Sequence, residues 1–358
     1  MHVLSSWGWS PFFQAFFQDF QAHPVLAARV ISEYPDLWRV VSEAGEELLE
    51  ISGKFRHQAM GREDFPAVGD WVVLDNSRAQ RRIEAVLPRR SAFIRRTAGS
   101  RDQAQVVAAN LDTVFLVMAL NHDFNLRRLE RYLAIAWESN AQPVIVLNKA
   151  DLVSDPTAAL SEIERIATGV PILVLSALER KGIEQLNPWL GSGKTVALLG
   201  SSGVGKSTLV NALLGENRQL TSELSSFQDK GKHTTTRRDL LQLPGEALIL
   251  DTPGMRELQI WEAGSGIEHS FEEIQALIQA CRFRNCQHGQ EKGCAVQEAL
   301  ASGVLEPGRW QNYRKLMREE AHQERKHSQI AQIEEKKRWK QIHKSFRQRN
   351  LERSRYSD

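Results

Sequence analysis

The residues Gly200, Ser201, Ser202, Gly203, Val204, Gly205, Lys206, Ser207 and Thr208 fit the pattern G-x-x-x-x-G-K-[ST]. The chemistry this implies is the holding of phosphate. Glycines let backbone N–H groups turn inward onto phosphate oxygens, the positive end of a following helix adds to them, Lys206 supplies a point charge and Ser207 offers a hydroxyl to Mg2+. A second set, Asn148, Lys149, Ala150 and Asp151, suits a base instead. The Asp151 carboxylate can accept from both N1–H and N2–H2 of guanine, a donor pair that adenine does not offer, while Asn148 and the Lys149 stem hold the ring. Ser176 and Ala177 match the backbone-rich loop that would complete such a pocket, a weak signal when taken alone.

Two further segments read as sensors of a terminal phosphate. Gly231 to Thr236 lies in a long polar stretch suited to a mobile switch, and either Thr235 or Thr236 can be the residue that reaches Mg2+ and the γ-phosphate. In Asp251-Thr252-Pro253-Gly254, Asp251 would hold Mg2+ through water and the Gly254 N–H would sense the γ-phosphate. The next residue is Met255, whose apolar side chain cannot orient an attacking water, so intrinsic turnover is expected to be slow. His233 is a candidate for that task and equally a plain switch-loop residue. Further on, Cys281, Cys286, His288 and Cys294 gather every cysteine of the chain and one imidazole within fourteen positions. Three thiolates and an imidazole close a tetrahedral Zn2+ shell with no place for water, so one structural zinc is expected.

Such groups need rigid supports. The apolar run Thr195 to Leu199 predicts a strand ahead of the phosphate loop, and Leu209 to Leu214 continues into a helix. From Asn110 the texture alternates: strands over Thr113–Met118, Pro143–Leu147 and Val170–Leu175, and helices over Asn125–Glu138, near Ala158–Ala167 and over Ile183–Leu190. That alternation predicts a doubly wound α/β domain over residues 106–262, with its ligand beyond the carboxyl ends of the strands. Earlier, short β-type runs at Leu37–Val41, Glu47–Ile51, Asp70–Asp75 and Arg82–Leu87, punctuated by glycine and proline, predict a barrel of about five strands over residues 31–105. Residues 1–30 read as an amphipathic extension, since Ser10 and Pro11 open a helix with Phe12, Phe13, Phe16, Phe17 and Phe20 on one face. Docking onto a neighbouring domain is favoured over a membrane or ribosome contact, because no basic residues flank the helix.

At 358 residues the chain is expected to be multidomain. It has no apolar run of membrane-spanning length, and no Lys or Arg precedes the phenylalanine cluster as a targeting peptide would require. A cytoplasmic monomer that does not bind membranes is expected. Basic residues are unevenly placed. Between Arg78 and Arg101 eight arginines (78, 81, 82, 89, 90, 95, 96, 101) face one acid, Glu84, which favours RNA contact at the barrel edge over a merely solvated surface. From Arg309 onward 15 Lys or Arg outnumber 7 Asp or Glu, with Trp310, Tyr313, Trp339 and Tyr356 among them, so residues 263–358 are expected to be a zinc-binding, basic helical region facing RNA.

The motif order is unusual. An ordinary GTPase runs phosphate loop, switch, Asp-x-x-Gly, Asn-Lys-x-Asp, Ser-Ala, whereas here the last two come first, so the chain reads as circularly permuted. With these motifs in this order, and with the Cys281/Cys286/His288/Cys294 set behind them, the chain resembles the ribosome small-subunit-dependent GTPase A family from about Ile31 to the tail. The resemblance implies an N-terminal OB-fold, a central permuted GTPase domain and a C-terminal zinc module. It also implies a late role in maturation of the 30S ribosomal subunit, binding to 16S rRNA, and release of the factor on GTP hydrolysis. The alternatives are a non-catalytic RNA-binding scaffold switched by GTP, and a P-loop small-molecule kinase, against which the guanine motif argues.

Overall fold

A computed structural model of the chain describes residues 2–21, 23–77, 80–96, 104–215, 239–251, 264–322 and 325. The N-terminal aromatic segment folds as α1 (His2–Ser6) and α2 (Pro11–Phe17), with Pro11 in the first turn after Ser10. Five strands follow, β1 (Val25–Tyr34), β2 (Leu37–Ser42), β3 (Gly45–Leu49), β4 (Trp71–Asp75) and β5 (Arg82–Val86), with α3 (Gly53–Gln58) between β3 and β4. They pair antiparallel in the order β3-β2-β1-β4-β5, and a parallel bridge from Ile51 to Ile83 brings β5 back to the exit of β3. The result is a closed five-stranded barrel with OB-fold connectivity. Alternation sorts its side chains: Val72 and Leu74 of β4 join Val30, Trp38 and Ile83 inside, while Trp71 and Val73 face outward under Phe13 and Phe17 of α2. The aromatic helix therefore docks on the barrel, with Trp9 and Phe13 at 4.7 and 5.7 Å from the Trp71 ring, and Phe12 and Phe16 stay exposed.

The first barrel strand begins at Val25, inside the stretch expected to be extension. Ala27, Ala28 and Arg29 carry weak strand propensity, and pairing to β2 on one edge and β4 on the other overrides it. Arg29 itself is fully buried at a junction. Its guanidinium donates to the carbonyls of Trp7, Gly69 and Asn110 and to Thr195 Oγ1 (2.8 Å), tying extension, barrel and central sheet together. Burial pulls its pKa down to about 10 against the raising influence of Asp112 and Asp70. After β5 comes a separate hairpin, β6 (Ala92–Arg96) and β7 (Ala104–Ala109), where only the basic end of the barrel was expected.

The central sheet takes β8 (Thr113–Ala119), β9 (Gln142–Asn148), β10 (Ile172–Val174), β11 (Thr195–Leu199), β12 (Asp239–Gln242) and β13 (Leu248–Asp251), with α4 (Leu126–Glu138), α5 (Thr157–Glu164) and α6 (Lys206–Leu214) between them. Its order is β10-β9-β8-β11-β13-β12, parallel except for β12. Both faces are covered, which explains the continuous apolar runs: Val114, Leu116 and Met118 pack with Leu129 and Leu133 of α4, and Phe115, Val117 and Ala119 pack with Leu209 of α6. Begun at β11, the chain would trace an ordinary GTPase sheet; here it enters at β8, and the packing is kept because contacts, not chain order, hold it. The predicted helix at Ile183–Leu190 is instead a 3-10 helix, Ile183–Trp189, with Pro188 inside it.

One eleven-stranded sheet runs through both domains, because β12 meets β1 with Asp239 opposite Ser32, and Ser32 Oγ donates to Asp239 Oδ1 at 2.5 Å. The C-terminal part adds α7 (Gly264–Ser270), α8 (Glu272–Gln279), α9 (Ala295–Ala301) and a helix over residues 307–322. Phe271, Ile274, Val296, Leu305, Trp310, Tyr313 and Leu316 share one continuous core with Leu129 and Leu133 of α4. Trp310 and Tyr313 were expected to face RNA; instead they are buried, stacked on each other at 5.6 Å. Trp339, Tyr356 and most of the basic tail lie outside the described residues.

Candidate nucleotide site and metal centre

The phosphate loop leaves the sheet at the end of β11, and two glycines make that exit possible. A Cβ on Gly200 would stand 2.3 Å from the Val117 carbonyl oxygen of β8. Gly205 has φ +96°, and a Cβ there would stand 2.3 Å from Asn148 Nδ2. That close approach matters because the buried Asn148 amide links three segments. Nδ2 donates to the Val204 carbonyl at 2.8 Å, and Oδ1 accepts from the Ala177 N–H at 2.9 Å. Base-type and phosphate-type residues, distant in the chain, thus meet at the carboxyl ends of β9 and β11, the two parallel strands that flank β8.

Around this joint Lys149 sits in the left-handed region at φ +62°, and the exposed Asp151 accepts from Ser176 Oγ at 2.5 Å. Ser176 Oγ accepts in turn from the Glu179 N–H at 3.2 Å, which fixes its loop. Lys206 Nζ donates to the Gly200 and Ser201 carbonyls at 2.7 and 2.6 Å, curling over the loop it belongs to. Ser207 and Thr208 lie in the first turn of α6, Ser207 exposed. The loop can therefore offer backbone N–H groups, an ammonium and a hydroxyl to one polyphosphate. Asp251 is the last residue of β13, the strand beside β11. Thr235, Thr236, His233 and Gly254 lie outside the described residues.

Two polar constellations had no motif to announce them. Arg128 on α4 and Asp123 just before it both bond Ser201 of the phosphate loop. Glu130, buried on the same helix, accepts from Arg127 Nη1 at 2.5 Å, from Arg309 Nη1 at 3.0 Å and from Asn312 Nδ2. Burial raises the Glu130 carboxyl pKa, and Arg309 and Arg127 oppose that rise. With Arg131 to Glu319 at 2.8 Å and Arg127 to Glu306 at 2.6 Å, this seam fastens the C-terminal helices to α4. Several of the arginines assigned to RNA are likewise engaged internally. Arg89 forms a two-pronged pair with the buried Asp70 at 2.9 and 2.8 Å, and Arg81 pairs with Glu47.

The Cys281, Cys286, His288 and Cys294 ligand atoms all lie within 4.8 Å of one another. Cys281 Sγ is 3.5 Å from His288 Nδ1 and 3.9 Å from Cys294 Sγ, and Cys294 Sγ is 3.7 Å from the same Nδ1. Tetrahedral ligands at a metal–sulfur distance of about 2.3 Å are about 3.8 Å apart, so the donor set fits one metal ion bound through Nδ1. Against a lowering hydrogen bond from the His288 backbone, burial and the neighbouring Cys294 and Cys281 push the Cys286 thiol up to about 11. A central cation is what would let all three thiols ionise together. His288 is at φ +57°, its carbonyl accepts from Gln297 Nε2 at 2.6 Å, and Trp310 packs edge-on to its ring at 5.6 Å.

The RsgA GTPase family model matches residues 86–261. A relative from Opitutus terrae, named Small ribosomal subunit biogenesis GTPase RsgA, is 49% identical, covering 97% of this chain and 98% of its own. The chain belongs to the RsgA GTPase family. A second family member, Small ribosomal subunit biogenesis GTPase RsgA 1 from Oceanobacillus iheyensis, is 45% identical over 88% of this chain and 91% of its own. Among solved structures, YjeQ from Thermotoga maritima superposes with TM-score 0.62 at 30% identity, over 82% of this chain and 98% of that one. YloQ, described as a circularly permuted GTPase, superposes with TM-score 0.57 at 23% identity over 83% of this chain and 95% of that one, and shares the fold. An ABC transporter model also matches residues 183–357, a span that includes the phosphate loop and omits Asn148 to Asp151. No helix among the described residues is long and apolar enough to cross a membrane.

Proposed function

We propose that this chain acts in the cytoplasm as a monomeric factor in biogenesis of the small ribosomal subunit, binding 16S rRNA and leaving the 30S particle when GTP is hydrolysed. The observation that carries the nucleotide half is the Asn148 amide, which holds the phosphate loop and the Ala177 loop in one site. Asn148, Lys149, Ala150 and Asp151, with Ser176 and Ala177, take the guanine; residues 200–208 take the phosphates. Mg2+, held by Ser207 with Asp251 and either Thr235 or Thr236, supplies charge neutralisation at the β- and γ-phosphates. Gly254 senses the γ-phosphate. Met255 leaves the attacking water without an orienting side chain, so hydrolysis is slow until the subunit positions a group, with His233 the candidate. Zn2+ in the Cys3His set is structural, because the protein fills all four positions. For the RNA half, the family relatives' names and the arginine-rich stretch from Arg78 to Arg101 are the support.

The test is GTP turnover with and without 30S subunits, alongside cosedimentation under GTP, GDP and a non-hydrolysable analogue. Turnover should rise with subunits, and binding should weaken in GDP. Equal turnover in both conditions sinks the stimulation; bound GTP that stays intact on the subunit would favour the GTP-switched scaffold instead. Asp151→Asn should weaken GTP binding and favour xanthosine triphosphate, whose C2 carbonyl matches the new amide donor.

A further inference from the structure

We propose that Asp123 and Arg128 are positioning residues for the phosphate loop, acting through Ser201. Ser201 Oγ donates to Asp123 Oδ2 at 2.6 Å and accepts from Arg128 Nη1 at 2.8 Å, while that same Nη1 donates to Asp123 Oδ2 at 2.8 Å. The three side chains close a triangle in which the hydroxyl is both donor and acceptor. Ser201 is held a second time through its main chain, whose carbonyl accepts from Lys206 Nζ. Arg128 is in turn fixed at its own backbone, because Asn125 caps α4 by accepting from the Arg128 N–H at 3.0 Å. The loop residue that follows Gly200 is thus anchored to the first turn of a helix outside the loop.

The phosphate-loop pattern leaves position 201 open to any residue, so this anchor belongs to the present chain and not to the motif. Its chemistry suits an anionic ligand. A carboxylate bonded to a phosphate-binding loop would by itself repel phosphate, and Arg128 cancels that charge while leaving the loop N–H groups to the ligand. Hydrogen bonds from Arg128 and Ser201 hold the Asp123 carboxyl below its usual range, so it is a carboxylate at neutral pH. An anchored loop has less conformational freedom to lose when nucleotide enters, and the benefit appears as slower release.

The inference rests on residues 200–208 being the GDP and GTP phosphate site. Release of fluorescent GDP from the full chain, chased with excess GDP in a stopped-flow instrument, tests both. In Arg128→Gln release should be about tenfold faster than in wild type, the scale set by losing a charged hydrogen bond. Asp123→Asn, with Arg128 intact, should quicken release less, and the double variant should release more slowly than Arg128→Gln because no uncompensated carboxylate remains. In a Ser201→Ala, Asp123→Asn background, where neither the hydroxyl nor the carboxylate charge remains, Arg128→Gln should add nothing. A tenfold effect that persists in that background shows that Arg128 does not act through Ser201 and overturns the proposal. Unchanged release in either single variant, in protein whose nucleotide-free melting temperature matches wild type, overturns it too. Should Arg128→Gln fail to fold, Asp123→Asn and the Ser201→Ala comparison with Arg128→Lys decide the same question. Wild type that binds no GDP would instead bring down the site assignment, and this proposal with it.

Discussion

The nucleotide site and the Cys/His centre solve the same problem, holding several polar groups at one point, in opposite ways. The metal centre draws its four donors from fourteen consecutive positions. Little but backbone turns brings them together, and the crowding raises the Cys286 thiol, a conflict that a bound cation would relieve. The nucleotide site draws on segments from 123 to 208, carried by parallel strands whose two faces are buried, and one asparagine amide pins the loops. The local site should therefore depend on its ion and the dispersed site on its scaffold.

Removing the metal is the harshest way to break that contrast. Structural zinc contributes on the order of 10 kcal/mol to small modules, so chelation or Cys294→Ser should strip the protein of about one Zn2+ per chain and open residues 272–316 to hydrogen exchange, while GDP still binds. A chelated protein with those amides still protected would show that the module holds itself together without an ion. Next in size is Glu130→Ala at the seam between the two regions. It leaves the buried Arg309 guanidinium with only Glu273 and the Ser270 carbonyl and should cost about 2–3 kcal/mol in urea unfolding, whereas an exposed pair such as Arg56 with Asp36 should be worth less than about 1 kcal/mol. Smallest is Asn148→Ala, which removes two buried hydrogen bonds from the nucleotide side. GDP affinity should fall by about 10- to 100-fold with Zn2+ content unchanged, and loss of zinc in this variant would mean that the two sites are not independent.

The same contrast explains what could be read in the sequence. Residues 200–208 and 148–151 were legible because their chemistry restricts residue type at fixed spacing, and β8, β9 and β11 because burial on both faces demands unbroken apolar runs. The first strand was not, since Ala27, Ala28 and Arg29 owe their conformation to partners far along the chain. Arg309 and Glu130 are 179 residues apart, and a pairing at that distance leaves no local trace. Trp310 and Tyr313 did leave one. With Leu316 they recur at helical spacing, the mark of an inward face, but the many lysines and arginines around them suggested an outward one. Composition reported the solvent side of that helix and concealed the packed side.

β1 lends one edge to two neighbours, first β4 up to Arg29 and then β12 at Ser32. Parting the barrel from the GTPase sheet therefore takes from β12 the strand that covers its edge. A fragment trimmed to residues 106–262 would bare the flank of β12, with unsatisfied amides inviting a second fragment to zip alongside. For this chain the smallest well-behaved unit is larger than the smallest catalytic one.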